Sequence, residues 1–219
     1  KEDKPILHLC THNLLGYSEP FFNSYPEKLK FLEIVRHPLY QVIQMSLNYE
    51  TLEKTNSSRF FYVNLKNEDG NIPFWANDWE EYNSLNYVDK AINEMYYMSK
   101  RTEKFKEENQ FGNILTISFE SFVLDPYEDL EKIKALFNSD FKISESKVLK
   151  LQNVPRMKIA DGISNATYER CGWEPGEEGL SEEGELNKRR DFVINQGASD
   201  KSLSKLDELS LNYNKQYEF

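Results

Sequence analysis

The sequence has few of the residues that metal and redox sites need. Its 219 residues include only two cysteines and three histidines, and their spacing does not suit a metal site. The net charge of -10 argues against a general nucleic-acid binder, which carries a basic surplus. No apolar run approaches the ~20 residues of a membrane-spanning helix. With 39% hydrophobic and 29% charged residues, the chain is predicted to be one globular domain over residues 1–219.

Glycine-rich phosphate loops are also absent. Neither a Gly-x-Ser-x-Gly nor a Gly-x-Gly-x-x-Gly motif occurs, and the glycine-containing residues 174–179 are acidic and would repel a phosphate. A small anionic ligand is still compatible with the acidic composition, because a pocket needs only a few well-placed basic side chains.

The hydrophobic pattern predicts alternating strands and helices. Strands are expected at residues 6–10, 29–35 and 114–119, and a hairpin at residues 59–64 and 72–76 around the turn signal Asp69-Gly70. Helices are expected after Pro38, over residues 79–109, after Pro126, and over residues 144–151, 183–193 and 201–217. Residues 153–184 are predicted to be a long loop. This alternation favours an α/β domain with a mainly parallel sheet.

Two basic side chains follow predicted strands. In an open α/β sheet, ligands bind beyond the carboxyl ends of the strands. Arg36 follows residues 29–35 and precedes Pro38, where a guanidinium and a helix N-terminus together suit an anion. Its alternative role is to pair with a carboxylate or to cap a loop. His12 follows residues 6–10 and suits a general base, with a backbone-bonded loop histidine as the alternative.

Two other charged features favour structural roles. Glu120, after the strand at residues 114–119, is predicted to cap or orient its neighbours. The cluster Lys188-Arg189-Arg190 is predicted to form a solvated face of a helix.

Three stretches together resemble the sulfotransferase family that uses 3′-phosphoadenosine 5′-phosphosulfate (PAPS). Residues 4–12, Lys-Pro-Ile-Leu-His-Leu-Cys-Thr-His, are similar to that family's strand ending in Lys-Thr-His. Residues 31–42 contain Arg36-His-Pro38 and are similar to the 3′-phosphate motif, Arg-x-Pro followed by a helix. Residues 114–126 resemble the late strand with Tyr-Glu-x-Leu-x-x-Asp-Pro. The order and spacing agree over residues 4–138.

The resemblance implies a P-loop-type three-layer α/β sandwich with a mainly parallel sheet. It implies transfer of a sulfuryl group from PAPS, without a metal, to a hydroxyl or amine of a small molecule, lipid or saccharide. The family's first strand and its 5′-phosphosulfate loop precede the part that matches, so we expect an N-terminally truncated domain or a second chain that supplies the loop. The expected compartment is the cytoplasm, with the Golgi lumen or secretory pathway as the alternative.

The resemblance also implies site residues. His12 would accept the proton of the acceptor, and Arg36 would bind the 3′-phosphate. The family's second 3′-phosphate ligand is a serine eight residues after the arginine; that position is Gln44 here, and Ser46 lies two residues further on. Two residues are about 200° of helix rotation, so only one of them can face the phosphate. The family's basic closing loop is matched by Arg156 and Lys158.

Some positions depart from the family. The lysine of Lys-Thr-His is Cys10 here, which removes a positive charge from the transition state. Two alternatives therefore stay open: a non-catalytic sulfotransferase-like module that binds a nucleotide or saccharide, and a P-loop phosphotransferase. The second would need a Walker-type lysine and a magnesium-binding aspartate, and neither is apparent.

Overall fold

The computed structural model describes residues 8–10, 14–55, 64–66, 71–76, 78–109, 111–138, 145–159 and 180–217. Within them the chain is mixed α/β and mostly helical. After a 3₁₀ turn at Leu15–Tyr17, the elements in chain order are α1 (Glu19–Ser24), β1 (Phe31–Val35), α2 (Pro38–Thr55), β2 (Asn64–Lys66), β3 (Asn71–Pro73), α3 (Trp79–Ser84), α4 (Tyr87–Glu108), β4 (Ile114–Ser118), α5 (Phe119–Leu124), α6 (Tyr127–Phe137), α7 (Glu145–Leu151), α8 (Glu182–Asn195) and α9 (Asp200–Tyr217).

The described strands form two small sheets. β1 and β4 are parallel, with Phe31 opposite Ile114 and Val35 opposite Ser118. β2 and β3 form an antiparallel pair. The parallel pairing confirms the predicted strands at residues 29–35 and 114–119. The antiparallel pair confirms a hairpin in this region, but its described strands lie at Asn64–Lys66 and Asn71–Pro73 rather than at residues 59–64 and 72–76. Residues 59–63 lie outside the described residues, and residues 74 and 75 form a turn.

The core lies mainly between helices. Helix α2 packs on α4 and contacts both closing helices, α8 and α9, and α4 also contacts α9. The largest cluster of buried side chains comes from these helices and the segment after β3, and includes Val42, Ile43, Trp75, Ile92, Val193 and Leu206. A second cluster joins α5, α6 and α7, and a third packs Phe22 against Phe105. The small parallel pair is therefore supported by a largely helical core.

Three predictions of secondary structure need correction. The predicted strand at residues 6–10 is not seen in its described part, because residues 8–10 have no strand pairing and Leu9 is 65% exposed. The predicted helix at residues 79–109 is two helices, because the Asn86 side chain accepts the Asp89 N–H at 2.8 Å and begins α4 anew. Helix α5 was not predicted; Ser118 caps it by accepting the Ser121 N–H at 3.1 Å.

The other helix predictions are confirmed. Helix α2 begins at Pro38, and α6, α7, α8 and α9 begin and end within about two residues of the predicted bounds. Of the predicted loop at residues 153–184, the part at 160–179 lies outside the described residues.

The main core should respond strongly to a cavity. Ile92 is fully buried in it, so we expect Ile92→Ala to lower the free energy of unfolding by about 2–5 kcal/mol. The same substitution at Ile194, which is 39% exposed, is the matched control and should cost about 0.5 kcal/mol or less. Urea denaturation measures both values. Equal losses would contradict the assignment of Ile92 to the core.

Candidate functional site

The parallel strands end at one edge of the sheet. Val35 and Ser118 are the last residues of β1 and β4 and lie opposite each other. Arg36 and His37 follow the first strand, and Phe119 and Glu120 follow the second. The four residues therefore lie at the edge where α/β folds bind ligands, beyond the carboxyl ends of the strands.

The Arg36 guanidinium lies between a carboxylate and two aromatic rings. Its Nε is 3.7 Å from Oε1 of Glu120. Its central carbon is 4.9 Å from the centre of the Phe119 ring and 5.6 Å from that of Tyr40, distances at which a cation is attracted to an aromatic ring. The side chain remains 23% exposed. Nε of Arg36 thus lies beside Glu120, while part of the side chain is exposed to solvent.

Glu120 is fully buried and links three segments of the chain. Its Oε2 accepts the backbone N–H of His37 at 3.2 Å and the Tyr213 hydroxyl at 2.5 Å. Burial raises the pKa of Glu120, and the hydrogen bond from Tyr213, the backbone N–H groups and the charge of Arg36 oppose that rise. The Tyr213 hydroxyl also lies 2.7 Å from Oγ of Ser118. The prediction that Glu120 orients its neighbours agrees with these contacts.

His37 holds the start of α2. Its Nδ1 accepts the Leu39 N–H at 3.2 Å, so the ring replaces the usual polar cap of a helix. The ring is fully buried and meets the Tyr40 and Tyr213 rings edge-on. Burial lowers the pKa of His37 to about 4, and the neighbouring Asn214 side chain opposes that fall. His37 is therefore neutral at physiological pH.

Arg156 reaches the same aromatic ring as Arg36. Its guanidinium carbon is 5.6 Å from the centre of the Phe119 ring. Its Nη1 donates to the Ile159 carbonyl at 3.1 Å, and its backbone N–H donates to the Val123 carbonyl at 2.7 Å. Two of the predicted basic residues, distant in sequence, therefore meet at one ring. Lys158 is exposed and donates to the Leu180 carbonyl at 3.0 Å.

Gln44 and Ser46 lie on different faces of α2, as their spacing predicts. Gln44 is exposed and lies about 40° around the helix from Tyr40, whose ring contacts Arg36. Ser46 is buried, and its hydroxyl donates to the Ile43 carbonyl at 2.8 Å. It lines a shallow depression with Leu47 and Phe192. The structure does not bring Ser46 to Arg36.

The site includes residues that sequence reasoning missed. Tyr40 donates its hydroxyl to Oε2 of Glu182 at 2.7 Å, and Oε1 of Glu182 accepts the Ile159 N–H at 3.2 Å. Glu182 thereby ties the segment that carries Arg156 and Lys158 to α2. The sequence gives one local signal for the contacts of Tyr40. Tyr40 lies four residues after Arg36, on the first turn of α2, and side chains at this spacing lie near each other on a helix.

The basic cluster on α8 corrects another prediction. Arg189 is fully buried rather than solvated. Its Nε donates to Glu185 at 2.9 Å, and its guanidinium lies 4.2 Å from the centre of the Tyr40 ring. The signal was present in the sequence, because Glu185 and Arg189 are four residues apart on a helix. Arg190 does lie at the surface, paired with Asp207.

The predicted general base lies outside the described residues. His12 falls within residues 11–13, so its position relative to Arg36 stays a prediction. The nearby Cys10 is exposed.

The buried His37 predicts a pH dependence of stability. Because its pKa is about 4 in the folded chain and about 6.5 when unfolded, the unfolded state binds more protons between these values. We therefore expect stability to fall as the pH drops from about 6.5 to 4, by on the order of 3 kcal/mol from this residue. His37→Asn, which keeps a capping side chain, should remove this part of the slope in urea denaturation. His8→Asn, at an exposed position, is the control, and an equal loss of slope there would contradict the assignment.

In the described part of the chain, no group of three or more histidine, cysteine or carboxylate side chains is arranged to hold a metal ion. Among the same residues, no helix combines the length and apolar character needed to cross a membrane. No protein-family profile, curated protein or solved structure matches this chain significantly.

Proposed function

We propose that this chain is a PAPS-dependent sulfotransferase domain in which Arg36 binds the 3′-phosphate of the donor. The observation that carries the proposal is the position of Arg36, directly after a parallel strand and directly before the N-terminus of α2. A P-loop-type three-layer sandwich with a mainly parallel sheet is part of the same proposal. The motif resemblance supplies the identity of the ligand.

The surroundings of Arg36 suit an anion. Among the described residues, the guanidinium has one ion pair, and that contact involves Nε. The terminal nitrogens can therefore present the planar fork that matches phosphate oxygens. The amide groups of the first turn of α2 add a favourable dipole beside it.

Other basic and polar side chains extend the proposed donor site. Arg156 shares the Phe119 ring with Arg36 and is proposed as a second phosphate contact, with Lys158 beside it. Of the two candidates on α2, Gln44 is the better ligand, because it is exposed near the face that carries Tyr40, whereas the Ser46 hydroxyl is buried against Ile43. A glutamine amide can donate to a phosphate oxygen.

In the proposed reaction the acceptor oxygen or nitrogen attacks the donor sulfur in line. A bond forms from the acceptor to sulfur, and the bond from sulfur to the bridging phosphate oxygen breaks. His12 takes the acceptor proton, and 3′-phosphoadenosine 5′-phosphate leaves with the bonding electrons. As in phosphoryl transfer, positioning and charge stabilisation supply most of the rate enhancement.

A non-catalytic binding module is the second candidate. Two observations favour it: Glu120 partly neutralises Arg36, and Cys10 replaces the lysine that would stabilise the transition state. Such a module would bind the nucleotide or a saccharide without transfer.

Calorimetric titration with 3′-phosphoadenosine 5′-phosphate tests the donor site. We expect the full-length protein to bind, and Arg36→Ala to weaken binding by about ten-fold to a hundred-fold, as for a lost charged hydrogen bond. Arg190→Ala is the matched control, because Arg190 pairs with Asp207 at the surface. Failure of the full-length wild type to bind would refute the donor site, and equal affinity of the Arg36→Ala variant would refute the role of Arg36.

Transfer of labelled sulfate from PAPS to phenolic and amine acceptors tests catalysis. His12→Ala should lower the turnover rate by about 10²- to 10⁴-fold, as expected for a lost general base, with no change in nucleotide affinity. His8→Ala, an exposed residue, should retain activity. Nucleotide binding without any transfer by the wild type would favour the binding module.

A further inference from the structure

The end of helix α9 contacts the residues that position Arg36. Tyr213 lies near its last turn. The Tyr213 hydroxyl is 2.5 Å from Oε2 of Glu120, and the Tyr213 ring meets the His37 ring edge-on, with ring centres 5.2 Å apart. The loop after β1 is therefore held by the C-terminal helix as well as by its own strand.

Tyr213 and Arg36 contact the two oxygens of one carboxylate. Oε2 of Glu120 accepts the Tyr213 hydroxyl and the His37 N–H, whereas Oε1 faces Nε of Arg36 at 3.7 Å. Two donors at Oε2 fix the rotation of the carboxylate, and so fix the direction in which Oε1 points. A hydroxyl that donates to a buried carboxylate also favours its charged form. Both effects keep a negative charge at the base of Arg36.

We propose that Tyr213 is a positioning residue of the donor site, which holds Glu120 so that the terminal nitrogens of Arg36 point toward the ligand. Tyr213 itself does not contact the donor in this proposal. The inference rests on the proposed function, since it takes the ligand of Arg36 to be the donor phosphate.

The substitution Tyr213→Phe removes only the hydroxyl and therefore tests its role alone. The ring of Tyr213 packs edge-on against His37 and against Tyr217, with ring centres 5.2 Å and 4.7 Å away, and phenylalanine preserves these contacts. The matched control is Tyr217→Phe, one helical turn further along α9. Among the described residues the Tyr217 hydroxyl has no contact with Glu120, so this control removes the same group from the same helix.

The first readout is the affinity for 3′-phosphoadenosine 5′-phosphate in the full-length protein. Tyr213→Phe should raise the Kd about ten-fold, as expected for a lost hydrogen bond to a charged group, while Tyr217→Phe leaves it unchanged. In an Arg36→Lys background the effect of Tyr213→Phe should disappear, because Glu120 then has no guanidinium to orient. A purely structural role would give the same loss in both backgrounds and would overturn the proposal.

The second readout needs no ligand. Nε of Arg36 is enclosed in the folded chain, so its N–H should exchange slowly with solvent in nuclear magnetic resonance spectra. Loss of the signal in Arg36→Lys identifies it. We expect Tyr213→Phe to speed this exchange about ten-fold, through the loss of one hydrogen bond, and Tyr217→Phe to leave it unchanged.

The two readouts separate the two claims. If the wild type binds no nucleotide, the donor site fails, and the exchange rate alone decides whether Tyr213 positions Arg36. Unchanged exchange in Tyr213→Phe would overturn the positioning role even if the nucleotide binds. Faster exchange together with weaker, Arg36-dependent binding would support both claims.

Discussion

The buried carboxylate of Glu120 is the contact on which the geometry of this site depends. It accepts hydrogen bonds from the loop after β1 and from α9, and it faces the guanidinium of Arg36. Taking a carboxylate out of water costs several kcal/mol unless it is paired and hydrogen-bonded. The contacts of Glu120 therefore depend on one another. Removal of Arg36, of the His37 N–H or of the Tyr213 hydroxyl would leave the buried carboxylate with fewer groups to stabilise its charge.

The electrostatics of the site are local, even though the chain is strongly acidic. Two arginines, Arg36 and Arg189, lie on the Tyr40 ring, and Arg156 shares the Phe119 ring with the first of them. At physiological salt, exposed charges are largely screened beyond about 8 Å. The net charge of -10 on the whole chain therefore says little about the field that an anion would meet beside these rings.

Much of the fold could be predicted because its signals are local. Helical spacing and Pro38 predicted α2, and the apolar runs predicted β1 and β4. Two helix predictions failed because of helix caps. Asn86 caps α4 within a hydrophobic pattern that indicates one continuous helix, and Ser118 caps the short helix α5 directly after a strand. In both places a single side-chain hydrogen bond decided the structure, and hydrophobic periodicity does not register such a bond.

The site was less predictable, since its contacts join distant parts of the chain. The placement of Arg36 followed from strand order, but its partners did not. Glu120 is 84 residues from Arg36 in the sequence. Tyr213 belongs to α9, for which the sequence predicted a helix but none of its contacts. Arg189 was misassigned because a run of three basic residues suggests solvent, whereas one of them is buried against Glu185 and the Tyr40 ring.

The separation of Glu120 and Tyr213 has a consequence for how the protein is made. Their hydrogen bond spans 93 residues, and the parallel pairing of β1 with β4 also joins distant segments. Contacts of this kind form late, because a long loop must close before they contribute any stability. During synthesis Arg36 and Glu120 are both made before Tyr213. The hydrogen bond that fixes the Glu120 carboxylate beside Arg36 can therefore form only after the helix that carries Tyr213 has been made.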